Sequence, residues 1–108
     1  MTDQTSSYWE QVGEVGVDAG LIWLGDPCYI IGKEADHRWD AWSDFCNDMD
    51  QDNWPDTKQF NFRMGHAGLG VTVSTGYGDG LYPVEVKRTS KGRIAEVRIV
   101  FIEEEDED

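Results

Sequence analysis

Tyr82-Pro83-Val84-Glu85-Val86-Lys87, Thr89-Ser90-Lys91-Gly92 and Ile94-Ala95-Glu96-Val97-Arg98-Ile99-Val100-Phe101-Ile102 lie in this order near the end of the chain. Tyr82, Val84 and Val86 alternate with Glu85 and Lys87, and Ala95, Val97, Ile99 and Phe101 alternate with Glu96 and Arg98. A period of two sends apolar side chains to one face of a strand and charged ones to the other. The intervening Thr89-Ser90-Lys91-Gly92 is turn chemistry, so the two stretches read as an antiparallel hairpin with Glu facing Lys or Arg across the strands.

The same pattern extends toward the N-terminus. Gly76-Tyr77-Gly78-Asp79-Gly80 is a second turn, entered by Gly70 to Thr75, where Val71 and Val73 share one face and Thr72 and Ser74 the other. Phe60-Asn61-Phe62-Arg63-Met64 alternates as well. Val12 to Val17, Leu21 to Leu24 and Cys28 to Ile31 read as three strands of a meander, parted by Asp18-Ala19-Gly20 and Gly25-Asp26-Pro27. Between residues 36 and 50 the period lengthens to about 3.6, as Trp39, Trp42, Phe45, Cys46 and Met49 recur every three or four positions. That segment reads as one amphipathic helix over about 37–49, with Asp36 as N-cap and Asp36, Asp40, Asp44 and Asp48 on the face opposite the tryptophans. The expected fold class is α+β, mainly β: six or seven short antiparallel strands curled into a sheet, barrel or sandwich and covered by the helix.

At 108 residues, with 39% apolar side chains to fill one modest core, the chain suits a single domain. Residues 12–102 are expected to form it, after a flexible segment 1–11 and before a disordered acidic tail 103–108. The 22 acids outweigh 9 bases, giving a formal charge of −13. Nucleic-acid phosphates repel such a chain, so direct DNA or RNA binding is not expected. Residues 57–102 alone reverse the sign, with seven bases against three acids. No apolar run exceeds four residues, and Met1 to Ser7 carries neither the charged nor the apolar region of a secretory signal. The expectation is a cytoplasmic protein without membrane contact, with Cys28 and Cys46 as free, buried thiols.

Four groups of residues could carry chemistry. Asp48-Met49-Asp50-Gln51-Asp52-Asn53-Trp54-Pro55-Asp56 resembles a calcium loop, since Asp48, Asp50, Asp52 and Asp56 offer oxygens at alternating positions. Asn53 replaces the turn glycine there, and Gln59 replaces the closing glutamate. Asp18, Asp26 and Asp79 occupy glycine-flanked turns, where a carboxylate either orients its own backbone or meets a ligand. Cys28 with His37 or His66 would make a nucleophile and base if the fold joined them. The aspartates of the helix face would suit a basic protein partner. The glycine clusters run into strands rather than helices, so they read as hairpin turns and not as phosphate cradles.

Val17-Asp18-Ala19-Gly20, Gly25-Asp26-Pro27-Cys28-Tyr29, Ser74 to Val84 with its Gly78-Asp79-Gly80 and Tyr82-Pro83-Val84, and Gly92-Arg93-Ile94 resemble elements shared by small uncharacterised bacterial proteins, a domain of unknown function. The resemblance implies a β domain and supplies no activity or catalytic residue. The combined reading is a non-catalytic protein-interaction or small-ligand-binding domain. The alternatives are a metal- or cysteine-dependent enzyme built on Asp26, Cys28 and Asp79, and a calcium-stabilised structural domain.

Overall fold

The structure is a computed structural model in which residues 2–30, 39, 41–62 and 65–103 are described. Among the described residues, six strands and one α-helix follow in the order β1 (Glu10–Val17), β2 (Leu21–Leu24), α1 (Trp42–Gln51), β3 (Thr57–Asn61), β4 (Ala67–Ser74), β5 (Gly80–Arg88) and β6 (Ile94–Ile99). They form two antiparallel three-stranded sheets, ordered β1-β5-β6 and β2-β4-β3, and no closed barrel among the described residues. The sheets fall in two compact units, one of Met1–Gly20 with Thr75–Asp108 and the other Leu21–Ser74. No helix among the described residues is long and apolar enough to cross a membrane.

In the first unit the hairpin β5–β6 follows the alternation in the sequence. Val86 lies opposite Val97 and Val84 opposite Ile99, while Lys87 faces Glu96 and Glu85 faces Arg98 on the other side of the sheet. The last pair closes as an ion pair, Arg98 Nε to Glu85 at 2.7 Å. Val17, Tyr82 and Val86 are buried. The turn before β5 is fixed by Thr75, whose hydroxyl donates to the Gly78 carbonyl at 2.6 Å, and by the Tyr82 hydroxyl, which donates to the same carbonyl. Gly78 sits there at φ 109°, a conformation open to glycine and strained for any residue with a Cβ.

The N-terminal residues continue this sheet. Ser6 N–H donates to the Arg88 carbonyl and Ser90 N–H to the Gln4 carbonyl, both at 2.8 Å. Asp3 closes the β5–β6 turn, accepting from Ser90 Oγ (3.1 Å), Lys91 N–H (3.0 Å) and Arg93 Nε (3.0 Å). Partial desolvation raises the Asp3 carboxyl, and the hydrogen bonds from Thr89, Lys91, Arg93 and Ser90 outweigh it, so it lies below the usual Asp value. The Trp9 ring lies against Arg98 (4.2 Å) and Lys87 (5.0 Å), a cation–π pairing on the charged face of the sheet.

In the second unit α1 buries Phe45 and Met49 against Phe60 and Leu69, with Leu21, Trp23, Tyr29, Trp39 and Phe62 packed around them. The helix differs from its sequence reading. It begins at Trp42, with Ala41 as an N-cap that makes no side-chain hydrogen bond. The expected cap Asp36, and Asp40 with it, lie outside the described residues. Trp39 reaches the core from before the helix, held edge-on to Trp23 and Phe60 and donating Nε1–H to Asp48 at 2.6 Å. Trp42, the first residue of the helix, stacks on Phe45 yet stays 58% exposed. Trp42→Ala is therefore expected to cost no more than about 1 kcal/mol, read as the shift of a urea unfolding midpoint.

Residues 28–31 are expected to extend as a strand; Ile31 lies outside the described residues, and Cys28 and Tyr29 belong instead to a 3₁₀ turn, Pro27–Tyr29. The cause is local. The Asp26 carboxylate accepts from Cys28 N–H at 3.0 Å, and Pro27 stands at the first helical position, where its missing N–H costs nothing. Tyr29 and Ile30 then donate to the carbonyls of Asp26 and Pro27, each at 3.1 Å.

Candidate functional site

Among the described residues, several of those singled out in the sequence are held by local contacts of their own. Among the described residues no three His, Cys, Asp or Glu side chains come together as a metal-binding group. In the acidic loop, Asp48 accepts from Trp39 Nε1 and Asp50 from Trp54 Nε1. Lys58 places its ammonium 2.8 Å from both the Asp48 carbonyl and the Asp52 carboxylate, so a side-chain cation sits against one of the carboxylates that a calcium loop would turn toward metal. The same ammonium satisfies the C-terminal turn of α1, where a positive charge is favoured. Asp56 contributes its backbone carbonyl to Ser74 N–H. Of the helix-face acids, Asp44 stands in the first turn of α1, where the helix dipole favours a negative charge.

Asp26 and Cys28 belong to the Leu21–Ser74 unit, while Asp18 and Asp79 belong to the other. Asp79 Oδ1 lies beside the β1–β2 turn, 3.9 Å from where a Cβ on Gly20 would stand. Cys28 was expected buried and is exposed, since a 3₁₀ turn replaces the strand that would have covered it; Cys46 is half-buried on α1. The hydrogen bond to Asp26, together with desolvation and the carboxylate's charge, pushes the Cys28 thiol above its ordinary range. A nucleophilic cysteine needs the opposite shift. His37 lies outside the described residues, and His66 is exposed with its ring against Phe62. In a Cys46→Ser background, iodoacetamide is expected to alkylate Cys28 more slowly at pH 8 than a free exposed thiol. Asp26→Asn, which removes the charge opposing the thiolate, should accelerate it. Equal rates for the two proteins count against the Asp26–thiol contact.

The structure offers a different site, which lies in the first unit. β5 is paired with β1 down to Val17 opposite Gly80, whereas its pairing with β6 stops at Val84 opposite Ile99. Leu81, Tyr82 and Pro83 thus have a strand neighbour on one side only among the described residues. Beyond Ile99 the chain bends away at Phe101 and Ile102, leaving an open groove of about 500 Å³. Tyr82 and Phe101 meet edge to face at 5.2 Å, and Tyr77 stands at right angles to Tyr82 at 6.5 Å. Leu81, Pro83 and Ile102 supply aliphatic wall, and among the described residues Glu103 is the charged one in the lining. Tyr77, Leu81 and Ile102 are 72%, 70% and 61% exposed, a concentration of apolar surface on a small unit.

Sequence reasoning read these residues as strand and turn and missed the groove. One signal was present: Pro83 interrupts an otherwise regular strand. Proline cannot donate to a ladder, so it belongs where one neighbour is missing.

The fold and this groove define a small β module of two antiparallel sheets with an aromatic cleft at the end of one of them. The chain belongs to the family described as protein of unknown function, DUF4241, whose model matches residues 10–99. The match runs from the first residue of β1 to the last of β6. Comparison with curated proteins and with solved structures gives no match.

Proposed function

We propose that the protein is a non-catalytic binding module whose groove beside β5 takes a small aromatic ligand carrying a cationic group. The observation that carries this reading is the exposed ring of Tyr77, Leu81 and Ile102 around the Tyr82–Phe101 pair. The groove's volume, about 500 Å³, falls in the range of small-molecule sites. The sign of the ligand follows from its surroundings. Among the described residues Glu103 is in the lining and no Lys or Arg is, aromatic faces attract cations, and the chain carries −13 overall.

Phenethylamine and phenylacetate share a ring and differ in charge. In a titration followed by amide NMR, phenethylamine at millimolar concentration is expected to shift Tyr77, Leu81 and Ile102 saturably, and phenylacetate is not. Tyr77→Ala removes an exposed ring without opening a core and should weaken phenethylamine about fivefold, the value of one cation–π contact. Absence of any saturable shift removes the groove as a site. Equal binding of the two probes removes the preference for a cation.

A further inference from the structure

We infer that the outer edge of β6 pairs with β6 of a second copy of this chain, antiparallel and centred on Val97. β6 ends the sheet β1-β5-β6, and among the described residues no strand lies on its outer side. Five of its six residues are exposed, with Ile94 at 58% and Val97 at 60%. An edge of this kind is a ready template for another strand unless its side chains forbid pairing.

Here the side chains favour one register. Pairing about Val97 sets Val97 against itself, Glu96 against Arg98 of the second copy, and Arg98 against Glu96 of the second copy. Each copy already places Lys87 opposite Glu96 and Glu85 opposite Arg98. The charged face of the joined sheet would therefore read Lys87, Glu96, Arg98, Glu85, alternating in sign across four strands and two copies. On the other face Val86, Val97, Val97 and Val86 would form an unbroken apolar row. Centring the pair on Glu96 or Arg98 instead would set like charges directly opposite each other, which destabilises a ladder. The edge is thus self-complementary in one arrangement, as a twofold contact requires.

The chain's net charge of −13 opposes self-association, but β6 lies in the stretch 57–102, where seven bases outnumber three acids. Repulsion from the distant acids is largely screened at physiological ionic strength, where the Debye length is about 8 Å. A six-residue strand is a small interface, so a weak, reversible dimer is expected.

The test uses the full chain in 0.15 M salt. Sedimentation equilibrium of the unaltered protein up to about 1 mM should show the mean mass rising toward twice that of the chain, as befits a weak contact. In a Cys28→Ser, Cys46→Ser background, Val97→Cys places two thiols opposite each other across the axis. Directly paired residues in an antiparallel ladder have Cα atoms about 4.5 to 5.5 Å apart, within disulfide reach. This variant should form a covalent dimer under mild oxidation. Ile94→Cys, similarly exposed but opposite Val100 of the second copy, should remain monomeric. A mass that stays monomeric through the whole concentration range overturns the inference, as does equal cross-linking of the two cysteine variants.

Discussion

Phe60→Ala is expected to cost the Leu21–Ser74 unit about 3 to 5 kcal/mol, the range for deleting a fully buried ring whose neighbours cannot collapse into the space. Phe60 is 1% exposed. It lies within ring contact of Trp23 (5.5 Å), Trp39 (5.1 Å) and Phe45 (6.0 Å), which reach it from β2, from the residues before α1 and from α1 itself. Removing it leaves all of these without their common partner. Because small proteins hold about 5 to 15 kcal/mol in total, such a loss is a large share of the whole. The measurement is urea unfolding followed by tryptophan fluorescence, with the midpoint falling and the slope unchanged if the native state keeps its compactness. The comparison with Trp42→Ala is the sharper reading. Both residues are aromatic and both meet the Phe45 ring, yet burial predicts effects several-fold apart. If the two variants cost the same, the core is not where the structure puts it.

The sheets were largely legible in the sequence, because alternation is a local property that survives without knowledge of the partner strand. Val84, Val86, Val97 and Ile99 share a face for the same reason that Glu85 and Arg98 share the other. The helix was legible as a period, but not its first residue. Trp39 falls in phase with Phe45 and Met49 and was counted as helical, whereas its indole enters the core from outside the helix and takes Asp48 as acceptor nine residues away. Contacts at that separation leave no periodic trace. Cys28 and Tyr29 were not legible as a turn because the apolar run they open outweighs Asp26-Pro27, a pair that caps and opens a helical turn. The acidic residues show the limit most plainly. Composition reveals their charge, while the structure pairs Asp48 with Trp39, Asp50 with Trp54, Asp52 with Lys58 and Asp3 with Arg93. Each of these four carboxylates has its own local contact, which composition alone does not reveal. The groove was hidden because it arises where β6 ends before β5 does, a property of two strands together that only Pro83 betrays.

Gly70→Ala is expected to destabilise the same unit by about 3 kcal/mol, although it adds a single methyl group. In a strand with ordinary backbone angles, alanine in place of glycine should gain about 0.5 to 1 kcal/mol by restricting the unfolded chain. Here the indole of Trp23 lies across the glycine. A Cβ at Gly70 would stand 2.1 Å from Cζ2, 2.4 Å from Cη2 and 2.6 Å from Cε2 of that ring. The ring has little room to retreat. Trp39 meets it edge-on at 5.6 Å and Phe60 tilts against it at 5.5 Å. At its other margin, a Cβ on Gly25 would approach Nε1 to 2.7 Å, so Gly25 and Gly70 together form the slot that admits the indole. The steric term thus exceeds the backbone gain, and the sign of the substitution reports whether the slot exists. A double-mutant cycle isolates it: in a Trp23→Leu background the added methyl meets a smaller, flexible side chain, and Gly70→Ala should become neutral or stabilising. The expected coupling is about 2 to 3 kcal/mol, the upper part of the range for residues in direct contact. If the two substitutions add independently, or if Gly70→Ala alone raises the urea midpoint, then Trp23 does not cover this glycine and the packing that joins β2 to β4 is different from that described above.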